Sequence, residues 1–253
     1  MTNKLDFFVI GAAKAGTTAL HQYCVKHPDV GTGKLKEIHF FDHFNFFEKL
    51  PVNYEPLHNV FDFSTNKKTY GDFTPDYIYF EESARLIWEY NPKAKIIAIL
   101  RNPIHRAFSQ WNMNISLQRD SIPFSQAIRE ERLRSRAYLP NWHGHYSYID
   151  RGFYTEQIRR FQHFFPNNQL LIFKYDDFKK EQEKHLNRFF EFIGVAPEKY
   201  IHEALVANRY EYDSLLNKED HHYLLTLFRN DILNLQQLLN WDCSDWLTEP
   251  TNY

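Results

Sequence analysis

Cysteine is scarce: Cys24 and Cys243 are the only two in 253 residues, too few for a disulfide framework and suited to a reducing compartment. No Cys/His quartet at zinc-like spacing occurs. Neither His143 with His145 nor His221 with His222 makes a metal site alone, so no metal is expected. No run of 18 apolar residues is present. The N-terminal MTNKLDFFVIG lacks a long apolar leader region and a small-residue cleavage site. A soluble, cytoplasmic protein is expected, with no membrane partner. The net charge of −2 excludes the broad basic field that attracts nucleic acid or an anionic surface. An anionic ligand therefore needs a local cationic pocket. Glycine and proline are few, at 8 and 11, and no repeat, low-complexity tract or Pro/Gly/Ser-rich linker breaks the chain. One domain over residues 1–253 is expected.

Aromatic residues are abundant instead: 17% of the chain, with 23 Phe and 16 Tyr. They supply a Phe-rich core and, where some remain outside it, walls for a substrate cleft. Three short apolar runs, Phe7–Ile10, Lys95–Leu100 and Leu170–Phe173, read as buried parallel strands. Helical spacing follows the first at Leu20, Tyr23 and Cys24, and the second at Ile104, Phe108, Trp111 and Ile115. It precedes the third at Ile158, Phe161, Phe164 and Phe165, and returns at Leu186, Phe189, Phe190 and Ile193 before Gly194. Strands alternating with helices predict an α/β fold, a central parallel sheet flanked by helices. Residues 31–70 and 135–152 are less regular and have the length of lids or binding walls.

The segment FFVIGAAKAGTTAL is strand, glycine-bearing turn and helix. Gly11 and Gly16 let backbone approach an anion, the helix start offers N–H groups, Lys14 adds a charge, and Thr17 and Thr18 add hydroxyls. A nucleotide-triphosphatase loop, G-x-x-x-x-G-K-[ST], would place lysine where Thr17 stands; here Lys14 sits inside the turn. A Mg-dependent nucleotide or nucleoside kinase with a variant loop is the alternative reading, and the displaced lysine argues against it. After KIIAIL comes RNPIHRAFSQW. Arg101 stands at the carboxyl end of a strand, where open α/β sheets place ligands. It offers a planar fork of donors for phosphate, with Ser109 two turns on. Two phosphate sites at two strand ends imply a donor with phosphates on two sides of a nucleoside. Further along, KEIHFFD read as an extended segment puts Glu37 and His39 on one face. Either could take a proton from an attacking hydroxyl or amine.

The loop GAAKAGTT, the segment KEIHFFD, the block RNPIHRAFSQW and the later RGFYTEQIRRFQHFFPNNQLLIFKYDDF together resemble the sulfotransferases that use 3′-phosphoadenosine 5′-phosphosulfate (PAPS). The likeness is strongest to their heparan-sulfate and bacterial branch, whose fold is P-loop-like and three-layered, and it covers residues from about 5 to about 195. The resemblance implies that Lys14, Ala15, Gly16, Thr17 and Thr18 hold the 5′-phosphosulfate, and that Arg101 and Ser109 hold the 3′-phosphate. Arg106 fills the block's second arginine position, where a structural role is equally open. The resemblance makes Glu37 the base and gives His39 a supporting role. In YGDFTPDYIY, Thr74-Pro75 fits the family, but Phe73 stands where heparan-type members carry lysine, which weakens the case for an anionic polysaccharide acceptor. Asp72 is an acceptor contact or secondary base, or else a turn-stabilising residue. The loop SRAYLPNWHGHYSYIDRG offers an acceptor wall through Trp142, His143, His145 and Tyr146. VANRYEY supplies Arg209 as the nearest match to the family's basic loop over the 3′-phosphate. The expected reaction moves a sulfuryl group to a hydroxyl or amine of a small-molecule acceptor, without a metal, and leaves 3′-phosphoadenosine 5′-phosphate (PAP). The expected partners are that acceptor and, in a homodimer, a second copy of the chain.

Overall fold

The computed structural model describes residues 4–136, 145–197 and 216–248. These gather into two compact units, one drawn from within 1–100 and 157–208, the other from within 101–156 and 209–253. The strands are β1 (Phe7–Gly11), β2 (Val30–Thr32), β3 (Thr69–Asp72), β4 (Lys95–Leu100) and β5 (Leu170–Lys174). The helices are α1 (Thr17–Lys26), α2 (Glu55–His58), α3 (Ser83–Tyr90), α4 (Pro103–Ser116) and α5 (Phe124–Arg136), followed by α6 (Tyr154–Phe164), α7 (Tyr175–Lys180), α8 (Gln182–Ile193) and α9 (Lys218–Leu239).

The first unit holds a five-stranded sheet in the order β2-β3-β1-β4-β5, parallel at every pairing. The three strands expected from apolar runs are all present. β1 is buried along its whole length because it lies inside the sheet with both faces covered. Alternation sends Phe7 and Phe8 to opposite faces. Phe7 meets Phe73 and, from α8, Phe189 edge-to-face, at 5.6 and 5.9 Å between ring centroids. Phe8 meets Phe41 and, from α3, Tyr90 at 5.5 and 6.2 Å. Each such pair adds about 0.5–1.5 kcal/mol beyond its buried area, so much of the aromatic content is core. α8 buries Leu186, Phe189, Phe190 and Ile193 and stops at Gly194 in a left-handed conformation, the expected helix-ending role.

The second unit starts at Arg101, directly after β4. Pro103 stands in the first turn of α4, and the Asn102 side chain accepts from the Ile104 N–H at 2.9 Å, a cap that fixes where the helix begins. Asp231 of α9 accepts from the Tyr154 N–H at 2.8 Å. Glu131 of α5 accepts from the Asp150 N–H at 2.9 Å. Burial pushes the Glu131 carboxyl up to about 7, against the pull of its backbone donors. Among the described residues, no helix is long and apolar enough to cross a membrane.

Candidate active site

The turn after β1, expected to hold an anion, is tightly folded. Its Ala12 N–H donates to Ile99 O in β4 at 2.8 Å and the Ala15 N–H to Ala12 O at 3.1 Å, which folds the chain back before α1. Lys14 and Gly16 both take positive φ, 70° and 89°. Gly16 is the residue from which α1 starts; no side chain caps that start, and no acidic residue stands in the first turn. The leading N–H groups and the positive end of the helix dipole are therefore left to an outside acceptor. Thr17 is buried at 4% exposure, with Thr18 half-buried. A Cβ on Gly16 would lie 3.2 Å from the Tyr175 ring, so both backbone angle and space call for glycine there.

The second expected phosphate site lies in the other unit. Arg101 is half-buried, and its carbonyl accepts from the Tyr154 hydroxyl at 2.9 Å. Ser109 is buried on α4. Arg106 takes the structural alternative weighed for it. It is fully buried, donates to Gln110 Oε1 at 2.7 Å and also donates to the Tyr148 carbonyl. Burial lowers its pKa to about 10, with Arg151 and Arg101 adding and Tyr154 and Glu131 opposing. His145 is exposed; its carbonyl accepts from Gln110 Nε2 at 3.2 Å and Asn114 Nδ2 at 2.7 Å. Tyr146 lies under the Arg134 guanidinium at 3.8 Å. Trp142, His143 and Arg209 lie outside the described residues.

KEIHFFD departs from the extended strand expected of it. Residues 37–40 form no strand, and Glu37 and His39 both adopt positive φ, 63° and 56°. Two left-handed residues either side of Ile38 still turn both side chains to one place: Glu37 Oε2 is 4.0 Å from His39 Nε2. Lys14, Glu37 and His39 thus all hold a backbone conformation that costs a non-glycine residue on the order of 1–3 kcal/mol and that concentrates at ligand clamps.

Two partners hold this segment. His39 Nδ1 is 2.7 Å from Asp42 Oδ2. Burial lowers the His39 pKa, but the hydrogen bond and charge of Asp42, with Asp76 and Glu37, outweigh it and leave the imidazole raised toward its cationic form. Below it sits Asp72, at 1% exposure. Its Oδ1 accepts from Thr74 Oγ1 at 2.9 Å and its Oδ2 from the Tyr77 hydroxyl at 2.6 Å. Those hydroxyls in turn accept backbone donors of the segment: His39 N–H on Thr74 at 3.4 Å and Phe40 N–H on Tyr77 at 3.1 Å. Asp72 therefore shows the turn-stabilising geometry rather than an open carboxylate. Burial pushes it up to about 6, with Tyr77 and Thr74 pulling the other way.

Three neighbours escaped the sequence reading. Lys36 ion-pairs with Glu37 Oε1; its place inside KEIHFFD was the available signal. Asp42 closes the same segment three residues after His39. His21 is one helical turn beyond Thr17 on α1 and packs edge-on against Phe73 at 4.9 Å. Burial holds His21 down to about 4, Lys36 adding to this and Glu37 opposing it. Its imidazole is neutral at physiological pH.

The sulfotransferase-domain family model matches residues 4–220. The chain belongs to the sulfotransferase family. The matched span takes in the turn after β1, the 37–42 segment, Arg101 and Ser109. The chain is 29% identical to the bifunctional heparan sulfate N-deacetylase/N-sulfotransferase 3 of Homo sapiens, over 79% of this chain and 23% of that protein. It is 24% identical to the membrane-associated sulfotransferase kil1 of Dictyostelium discoideum, over 94% of this chain and 65% of that protein. The chain thus spans less than two thirds of the length of either relative. Its fold matches that of a solved sulfotransferase from Alicyclobacillus acidocaldarius with a TM-score of 0.84 and 24% identity, over 98% of this chain and 100% of that one. This sulfotransferase fold places the Lys14 turn after β1 and the 37–42 segment after α1 and β2.

Proposed function

We propose that the chain transfers a sulfuryl group from PAPS to a hydroxyl or amine of a small-molecule acceptor. The observation that carries this reading is the start of α1: uncapped, without a first-turn acid, and entered through left-handed Lys14 and Gly16 in a chain of the sulfotransferase family. Lys14 through Thr18 hold the 5′-phosphosulfate, and Arg101 and Ser109 hold the 3′-phosphate.

The acceptor oxygen or nitrogen attacks sulfur in line, and its proton passes to Glu37. The new bond to sulfur forms as the bond from sulfur to the phosphate oxygen breaks, and PAP leaves carrying the electron pair. Lys14 and the N–H groups at the helix start stabilise the charge gathering on that oxygen, the positioning-plus-electrostatics strategy that suits such transfers. His39 is tied by its Nδ1 to Asp42 Oδ2 at 2.7 Å, which fixes the ring beside Glu37. It orients the acceptor and balances negative charge beside Glu37, leaving proton removal to the carboxylate.

Phe73 in place of a lysine supports a neutral or cationic acceptor, such as a natural product, over an anionic polysaccharide. A content of only two cysteines, Cys24 and Cys243, both buried, supports a reducing, cytoplasmic setting. The test is a screen of hydroxyl- and amine-bearing acceptors with labelled PAPS, read as a mass gain of ~80 Da on the acceptor. Label retained on the donor across a broad acceptor panel, with no PAP formed, would count against the reading.

A further inference from the structure

One cluster beside the proposed base has a chemistry that sulfuryl transfer does not use. His39, Asp42 and His43 each offer one ligand atom, and these atoms lie within 4.8 Å of one another. The two imidazole rings stand edge-to-face at 6.1 Å between centroids. His43 is exposed and gives access from solvent. Asp42 is 8% exposed; one of its oxygens meets His39, while the other, Oδ1, is buried without a hydrogen-bond partner. A buried carboxylate oxygen left without a donor is costly, and a cation supplies the partner that the protein does not.

We infer that His39, Asp42 and His43 form a binding site for a zinc-class divalent cation, and that an ion there inhibits transfer. Two imidazoles and one carboxylate are a donor set for zinc and its first-row neighbours, with a fourth position left to water. Bonds of about 2.0–2.2 Å in a tetrahedron separate ligand atoms by roughly 3.3–3.6 Å. Rotation of the exposed His43 side chain toward the other two closes the remaining gap. The inhibitory consequence rests on the proposed function: an ion on His39 withdraws that imidazole from the acceptor and sets a positive charge against Glu37. The binding signal lies in the irregular 37–43 segment, where neither helical nor strand spacing foretells which residues meet.

Protein stripped with EDTA is titrated with ZnCl₂ by calorimetry and with CoCl₂ by visible absorption, for the wild type, His43→Ala and, as a surface-histidine control, His163→Ala. The inference predicts saturable binding of about one equivalent with a tetrahedral cobalt spectrum. Affinity falls at least ~10–100-fold in His43→Ala and is unchanged in His163→Ala. It also predicts that zinc suppresses transfer from PAPS by the wild type, while His43→Ala retains basal turnover and resists zinc. No saturable binding, or equal affinity in His43→Ala, overturns the site. Equal zinc sensitivity in His43→Ala overturns the inhibitory role. Intact zinc binding in a protein that forms no PAP supports the site and refutes the transferase reading instead.

Discussion

The Tyr77 hydroxyl donates to the buried Asp72 carboxylate at 2.6 Å while accepting the Phe40 N–H at 3.1 Å. One carboxylate at the end of β3 thereby holds the segment that carries Glu37 and His39. Its pKa of about 6 in the folded chain lies above the ~3.9 of an unfolded aspartate. Between those values the native state keeps a proton that the unfolded state has released, so the stability Asp72 contributes is full below ~pH 4 and is lost as pH rises through 6. Asp72→Asn cannot ionise. Its unfolding free energy is expected to fall less than the wild type's between pH 4 and 7, the difference being roughly 2–3 kcal/mol. Denaturant melts across that range check this; parallel curves would show that Asp72 does not titrate there.

Lys14→Ala and Glu37→Gln are each expected to cut turnover by ~10²–10³-fold, the usual cost of losing one charge-stabilising or proton-accepting group. Far-UV circular dichroism and melting temperature should stay near wild type, because Lys14 and Glu37 are not core residues. Turnover within about twofold of wild type in Glu37→Gln would remove Glu37 from the base role.

Gly16→Ala forces a side chain into a left-handed backbone and brings its Cβ to 3.2 Å from the Tyr175 ring. The backbone term alone is worth roughly 1–2 kcal/mol. Weaker PAP binding together with a lower melting temperature is expected, with calorimetry and thermal melts as the readouts. A variant that melts and binds as the wild type does would show that the turn does not need this geometry.

The two arginines of RNPIHR should separate cleanly. Arg101→Ala is expected to weaken PAP binding by ~10–100-fold with little change in stability, as for the loss of hydrogen bonds to a charged ligand group. Arg106→Ala removes a fully buried guanidinium bonded to Gln110 and the Tyr148 carbonyl. It is expected to unfold at lower temperature first, and by the larger margin of the two. Unchanged PAP affinity in Arg101→Ala would sink its assignment to the 3′-phosphate.

β1, β4 and β5 were legible as apolar runs because a strand covered on both faces needs little else. β2 and β3 were not. Each is short and carries a glycine packed under an aromatic ring: a Cβ on Gly31 would lie 2.2 Å from Tyr70, and one on Gly71 would lie 2.2 Å from Phe7. Such cross-strand packing leaves no periodicity to read. The strand, turn and helix around Lys14 were legible because their residues are contiguous in the chain. Glu37 and His39 were rightly placed side by side but on the wrong backbone, since two left-handed residues return side chains to one face much as a strand would. Asp72 and Tyr77 act on that segment from more than thirty residues away, through hydroxyls that no local pattern marks.

The proposed donor is a nucleotide bearing a 5′-diphosphate-like group and a 3′-phosphate, bound without a metal. Calorimetric titration with PAP and with ATP, each with and without Mg²⁺, tests it most directly. The account predicts saturable PAP binding that is independent of Mg²⁺ and lost in Lys14→Ala, with ATP binding far weaker. Tight binding of ATP that requires Mg²⁺, with none of PAP, would contradict it.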